Sequence, residues 1–354
     1  MPVNTGEILF VKCVKCGIPN RDPLRDSDAR RLFGEDDGRI SLSDVSIKRD
    51  VRDYVLARFP EGGDDKSRFV FVRKQFSPDG SSLLGRDGLI QDILTRTREG
   101  KPAADSTAVA DSTAKPKKAA KKSATTGDER AEMMAAAFDM RVFGAVFSVT
   151  GKSFSQTGPV QFSWAHSLHP VETKYTQGTV CMPSKETPTA ESKPDEKGKT
   201  QGTIWTQYQL PFAVFAMPGV VNATLSKQTG MTDADVDLLL AGLWKGTIHR
   251  QARGRGVQHP LLLLHVEYKD PFFRLGYLEE GITLTPGRRD EGRKRWLGGA
   301  APTDVSEVAL SVEKLAERLN QFKDQIARAR VWLDPQLNLN GKIPAEPGKW
   351  PEGV

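Results

Sequence analysis

The sequence predicts an α+β fold in which the elements run strand, helix, strand, strand, helix, strand, interrupted by two long excursions. Three observations predict it. Short β-branched or apolar runs recur along the chain, two stretches place apolar residues at a helical step behind capping residues, and long polar stretches separate them.

The first strand covers 7–15, with Ile8, Leu9, Phe10, Val11 and Val14, and ends in 17–23, a stretch dense in turn formers. Ser43 can N-cap a helix through about Phe59, with Ile47, Val51, Tyr54 and Val55 as its apolar stripe and Pro60 as its stop. Residues 69–76 are a further short strand, and 140–149 and 209–217 read as buried strands. Thr232 to Asp235 resembles a capping box, opening a helix that carries Val236, Leu239, Leu240 and Leu243, with Gly246 just past its end. Residues 261–269 supply the last core strand. Without the excursions, this order is that of a ferredoxin-like, or RRM-type, split unit. The predicted core is 1–76, 136–165 and 207–285, with an insertion at 77–135, an arm at 166–206 and an extension at 286–354. In the extension Val308, Val312, Leu315, Leu319, Phe322 and Ile326 step by four and three through a long helix.

Composition narrows the function classes. The chain has 354 residues, 27% charged and 38% hydrophobic, with 51 Lys+Arg against 45 Asp+Glu for a net charge of +6. That excludes an acidic solvating chain and a wholly disordered one. No apolar run reaches the ~18 residues a membrane span needs, and 1–6 lack the basic and apolar regions of a secretion signal. Three cysteines make an odd count, so the expectation is a reducing cytoplasm and not a disulfide framework.

The charge is clustered. Lys115, Lys117, Lys118, Lys121 and Lys122 fall within a stretch of Lys, Ala, Ser, Thr, Asp and Pro at 101–130, which reads as a solvated linker. Arg250, Arg253 and Arg255 alternate with Gly254 and Gly256 behind the second helix, and Arg288, Arg289, Arg293, Lys294 and Arg295 precede Trp296. Arg beside Gly lets backbone approach a phosphate while the side chains reach it. On the first helix Lys48 and Arg52 are four apart and share a face, with Arg49 beside them. A stretch rich in Lys, Glu, Thr and Pro at 183–202 is flanked by two copies of Thr-Gln-Gly-Thr, at 176–179 and 200–203, which suggests two arms of a projecting hairpin.

Catalytic motifs find little support. There is no Gly-x-Ser-x-Gly elbow, P-loop or His-Glu-x-x-His helix. Cys13 and Cys16 have metal-ligand spacing and His166 and His169 could complete a set, but on a strand the two cysteines point to opposite faces and read as small thiols. Asp22, Asp139 and His166 could serve a metal-dependent or general-base ribonuclease; alternatively Asp139 orients Arg141 or caps a turn, and the histidines sit on the arm.

Several segments jointly resemble one family. They are Pro19-Asn-Arg-Asp-Pro23, Ser43-Asp-Val-Ser-Ile-Lys-Arg-Asp-Val-Arg-Asp-Tyr54, Phe138-Asp-Met-Arg-Val-Phe-Gly-Ala145 and Thr157-Gly-Pro-Val-Gln-Phe-Ser-Trp164, followed by His166-Ser-Leu-His-Pro-Val-Glu172, Thr200-Gln-Gly-Thr203, and Thr229-Gly-Met-Thr232 leading into Leu238-Leu-Leu-Ala-Gly-Leu-Trp244. In this order they resemble the backbone subunit of the CRISPR surveillance complex Cascade, in its type I-B form and close to type I-C. The resemblance covers roughly 7–60 and 136–280. It departs at Arg21, where relatives usually carry Gly, and has no counterpart for the Lys-rich stretch or for the chain after Pro286.

The resemblance implies an RRM-like palm with a thumb hairpin, here 166–206, and a finger insertion. It implies a subunit without catalytic role, cofactor or metal that binds CRISPR RNA in several copies. With other Cascade subunits, these copies display the guide for pairing with target DNA, and each thumb displaces a nucleotide at regular intervals. It places Asn20 and Arg21 near the RNA backbone, Lys48, Arg49 and Arg52 on phosphates, Arg141 and Gln161 along the palm, His166 at the thumb, and Arg250, Arg253 and Arg255 in a basic loop. Sequence discrimination would lie in base pairing, so Lys and Arg beside an open sheet would suffice. The alternative is a metal-dependent target-RNA-cleaving subunit of a related complex, with Asp139 or Asp22 at the metal.

Overall fold

The run predicted over 7–15 becomes β1 (Gly6–Gly17), at the centre of the main sheet of a computed structural model. The structure describes residues 3–34, 36–99, 126–149, 152–180, 204–286 and 302–354. After β1 come β2 (Ser41–Leu42), α1 (Asp44–Arg58), α2 (Arg86–Glu99), α3 (Thr126–Ala136), α4 (Phe138–Phe143), β3 (Gly144–Val149), β4 (Lys152–Thr157), β5 (Val160–Phe162), β6 (Ala165–Ser167) and β7 (Lys174–Thr179). There follow β8 (Ile204–Val221), α5 (Ala223–Thr229), α6 (Asp233–His249), β9 (Val257–Tyr268), β10 (Thr283–Pro286), β11 (Val308–Ser311), α7 (Glu313–Gln321), β12 (Ile326–Leu333), β13 (Asn338–Asn340) and β14 (Glu346–Pro347).

The main sheet runs β14-β12-β9-β1-β8-β6-β2, with β5 and β7 also paired to β8. β1 is antiparallel to both neighbours, with Phe10 opposite Met217 on one side and Leu263 on the other. Its two-residue alternation divides two cores. Ile8, Phe10 and Val14 join Phe215 and Met217 against α1 and α6, through Val51, Val55, Leu239 and Leu243. Leu9, Val11 and Cys13 join Phe212, Val214 and Leu264 against Leu278, Val308, Leu315 and Leu319. Burial on both faces explains why these strands read as nearly continuous apolar runs. It also corrects the expected open sheet: its second face is covered by α7 and by the small sheet β10-β11-β13.

α1 and α6 stand where the capping signals placed them. Asn20 donates from its side chain to Ser43 Oγ at 3.2 Å, so Ser43 marks the N-cap without a side-chain cap bond of its own. Thr232 and Asp235 complete a full capping box. Gly246, expected beyond the end of α6, lies inside it and serves helix packing instead: a Cβ there would meet the Asp50 carbonyl oxygen at 2.3 Å. The two helices approach closely at this glycine.

Other expectations change. Residues 69–76 form isolated bridges, Phe69 with Ala137 and Phe76 with Leu83; the N–H groups of Phe71 and Val72 go to the Asp139 carboxylate instead of a ladder. Residues 140–149 divide into the end of α4 and β3, with Gly144 at φ +81 as the break. The sheet position expected of those segments is taken by β5 and β6, which pair with β8. The long C-terminal helix is absent from the described residues. Val308 to Ser311 pair with β10, only 313–321 are α-helical, with a 3-10 turn at 323–325, and Ile326 begins β12. The arm is a hairpin of β7 and the start of β8, Lys174 opposite Gln209 and Thr179 opposite Ile204. His166 lies outside that hairpin, in β6, opposite Ser41 and Ala216. The Lys115–Lys122 tract, the stretch 183–202 with the second Thr-Gln-Gly-Thr, and the cluster 288–296 lie outside the described residues. Among the described residues no helix is long and apolar enough to cross a membrane.

Candidate nucleic-acid interface

Two glycines bring the basic loop onto the end of β1. Gly254 and Gly256 have φ of +74 and +73, and a Cβ on Gly17 would meet the Gly256 nitrogen at 2.1 Å. Only glycines permit this contact. It sets Arg253 beside Arg21, whose Nη2 donates to the Arg253 carbonyl at 3.4 Å. The α1 N-terminus enters from the other side. Together these segments enclose an open groove of about 760 Å³.

The groove gathers Asn20, Arg21, Arg49, Arg52, Arg250, Arg253 and Arg255, all named from the sequence, and adds Arg30 and Trp164. Seven of its lining residues are arginines and one, Asp44, is acidic, so the opening presents an excess of positive charge. The arginines divide by role. Arg49 pairs with Asp53 at 2.6 Å and Arg52 with Asp139 at 2.8 Å. Arg250 and Arg255 both reach Asp50, at 2.9 and 2.6 Å. Arg21, Arg30 and Arg253 have no carboxylate partner among the described residues. Arg253 lies over the Trp205 ring at 4.7 Å and Arg30 over Trp164 at 5.7 Å, which holds two guanidinium planes against aromatic faces.

Asp50 organises the cations behind the groove. It is fully buried and also accepts from Lys12 Nζ at 3.1 Å, which in turn donates to Gln258 at 2.9 Å. One carboxylate thus faces three cations. Burial alone would raise the Asp50 carboxyl, but Lys12, Arg255 and Arg250 outweigh it and hold it below its ordinary range. Burial, opposed by Asp50, brings Lys12 down to about 8, and burial likewise lowers Arg255. The surplus of positive charge is set by the fold and lies next to the opening, a suitable arrangement for a polyanion.

The remaining residues named from the sequence fall elsewhere. Lys48 joins the edge of α1, donating to Asp44 at 2.8 Å and to Gln161 at 3.4 Å. Arg141 is removed from any surface role: it is buried, pairs with Asp235 at 2.7 Å and donates to the carbonyls of Met134, Ala135 and Ser67. Arg52 and Arg255 are likewise buried, so they support the groove more than they line its mouth. His166 bonds Ser41 at 3.1 Å and packs against Phe33 at 4.4 Å; burial and the Arg39 charge lower its pKa. Arg30, Trp164 and Trp205 were missed. Arg30 sits in an irregular loop with no periodic signal, whereas Trp164 closes a quoted motif and could have been read as a binding aromatic.

The residues weighed for catalysis have structural occupations. Asp139 does not orient Arg141; its carboxylate accepts from Arg52, Phe71 N–H and Val72 N–H, which leaves it poorly placed to hold a metal. Asp22 caps its own loop through the Leu24 N–H at 3.1 Å. Cys13 is buried and its thiol is pushed up to about 11 by that burial, while Cys16 is exposed. Among the described residues no group of three or more His, Cys, Asp or Glu is arranged to hold a metal.

Solved structures similar to the chain include two described as "CRISPR RNA-guided surveillance complex, pre-nicking" and "CRISPR RNA-guided surveillance complex". The first is 15% identical, covers 96% of this chain and 97% of that chain, and gives a TM-score of 0.48. The second is 14% identical over 95% of each chain, with a TM-score of 0.41. Both scores fall below 0.5, so the assignment rests on the sequence match. No curated protein matches the chain. The family model for CRISPR-associated protein Cas7 matches residues 4–300, the span that holds the groove, the hairpin arm and both helices behind the sheet, and the chain belongs to the Cas7 family.

Proposed function

We propose that the chain is a non-catalytic CRISPR-RNA-binding subunit that assembles in copies along a guide, beside other Cascade subunits, and presents that guide for pairing with target DNA. The observation that carries this reading is the groove itself, where Arg21, Arg30 and Arg253 have no carboxylate partner among the described residues and stand before a cation-rich cluster. Such a site grips phosphates without reading bases, which suits a subunit whose partner strand varies in sequence. The sheet supports an RRM-like palm. β9-β1-β8 and then β5 or β6 follow the strand order of a split unit, with α1 and α6 packed on one face. The β7–β8 hairpin is the thumb in this reading, and the helices of the insertion are the finger.

The test is purification of the full chain with its partners from cells carrying a CRISPR array. A protected RNA of uniform length in the complex is the expected result. A complex free of RNA, or holding fragments of every length, would overturn the proposal.

A further inference from the structure

The first of the two Thr-Gln-Gly-Thr copies, at 176–179, supplies one strand of the arm. There Thr176 lies opposite Gln207 and Gly178 opposite Trp205, and the two-residue alternation of a strand sets these four residues on one face. Thr176 Oγ1 donates to the Gln207 carbonyl at 3.0 Å. Gly178 is not in the left-handed region, so its backbone does not require a glycine. The Trp205 ring does: a Cβ on Gly178 would run into the indole at Cζ2 and Cε2. Glycine inside a strand marks such a close approach, and here the indole rests against the backbone of the opposite strand.

The arm meets the basic loop on this same face. The Arg253 guanidinium lies over the Trp205 ring at 4.7 Å. One residue on, a Cβ at Gly254 would run into Arg21 Nη2 and come within 3.1 Å of Gln207 Oε1, so Arg21 and Gln207 converge on that glycine. The three groove arginines without a carboxylate partner among the described residues differ in how they are held. Arg21 donates to the Arg253 carbonyl, and Arg30 donates from Nε to the Arg21 carbonyl at 3.3 Å. The exposed Arg253 side chain has no acceptor among the described residues, and the Trp205 ring is what it lies against. An unheld arginine loses rotamer freedom when it grips a phosphate. A ring beneath the guanidinium removes part of that freedom beforehand and leaves the in-plane N–H donors available.

We propose that Trp205 is a positioning residue of the groove: seated on Gly178, it holds Arg253 ready for a phosphate, so the placement of the arm sets the grip of the groove. This role rests on the RNA-binding reading above. Trp205 acts through Arg253 and makes no contact with the RNA itself. Gly178 belongs to the same stack, because any side chain there displaces the indole on which the guanidinium lies. The coupling is reciprocal: a phosphate that favours the stacked Arg253 also favours the arm in this seat.

The experiment is a double-mutant cycle on the full chain, with Trp205→Leu, Arg253→Ala and the two combined, beside Trp205→Phe and Gly178→Ala. Each protein is titrated with a short single-stranded RNA and with an abasic RNA of equal length. The expected result is that Trp205→Leu binds both RNAs about fivefold more weakly, that Gly178→Ala shifts affinity in the same direction, and that Trp205→Phe, which keeps an aromatic face, retains most of it. In the Arg253→Ala background, Trp205→Leu should cost nothing further. Losses that simply add would overturn the proposal, because Trp205 would then act independently of Arg253. A loss confined to the ordinary RNA would overturn it by assigning Trp205 to a base. Unchanged affinity in Trp205→Leu would overturn it and leave the groove reading intact, whereas a wild type that binds neither RNA would overturn both.

Discussion

Nε of Arg52 donates to Oδ2 of Asp139 at 2.8 Å, with the carboxylate 1% exposed and the guanidinium side chain 10% exposed. The pair ties α1 to α4, and the backbone N–H groups of Phe71 and Val72 donate to Oδ1 and Oδ2 of the same carboxylate, so both oxygens of Asp139 are engaged. A residue that sequence reasoning set beside an RNA-cleaving metal is therefore a structural joint. Its ion pair gives Arg52 little freedom to serve as a phosphate contact.

Asp139→Ala is expected to destabilise the fold by about 3–5 kcal/mol, because it leaves a buried guanidinium and two N–H groups without acceptors. Urea unfolding monitored by circular dichroism measures the loss. Target RNA incubated with assembled complex and Mg²⁺ should show no cuts that depend on Asp139; regularly spaced cuts abolished by this substitution would restore the cleaving alternative.

Gly246→Ala is expected to separate α6 from α1. The added Cβ would meet the Asp50 carbonyl oxygen at 2.3 Å, against backbone that has no side-chain freedom to yield. The predicted cost is about 1–3 kcal/mol, typical of overpacking. RNA affinity should fall with it, since Asp50 holds Arg250 and Arg255. Gly230→Ala is the comparison: its Cβ meets nothing within 4 Å, so only its φ of +75 is strained.

His265 makes the fold acid-sensitive. It is fully buried, and desolvation first, then Arg330 and Arg328, lower its pKa from 6.5 to about 3. The unfolded chain takes up the proton first, so the stability linked to this group is fully present above pH 6.5 and is lost as pH falls toward 3. The loss amounts to roughly 3–5 kcal/mol across that window. Denaturation midpoints of wild type and His265→Asn between pH 7 and 4 should converge as pH falls; parallel curves would show that His265 does not titrate in this way.

The legible parts of the fold were those governed by local rules. β1, α1 and α6 followed from apolar runs and caps, and their ranges agree to within a few residues. What failed depended on distant partners. Residues 69–76 have a strand-like composition, yet Asp139 claims their N–H groups from 67 positions or more away. The step of four and three from Val308 to Ile326 fits a helix, but tertiary pairing with β10 and β9 takes both ends as strands. Within the groove, the Gly-flanked arginines and the α1 cations were readable, because residue type and spacing carry that signal. The division between buried supports such as Arg141, Arg52 and Arg255 and rim residues such as Arg21 and Arg253 was not, because it is decided by Asp235, Asp139 and Asp50 across the fold.

The most direct measurement of the central claim is the salt dependence of RNA binding by wild type and Arg21→Ala/Arg253→Ala, two exposed groove arginines with no acidic partner among the described residues. Each phosphate contact on a single strand contributes about 0.7 to the slope of log K against log salt. The account predicts weaker binding by similar factors for RNAs of unrelated sequence, with the slope reduced by about 1.4 in magnitude. An unchanged affinity and slope, or a loss confined to one RNA sequence, would contradict it.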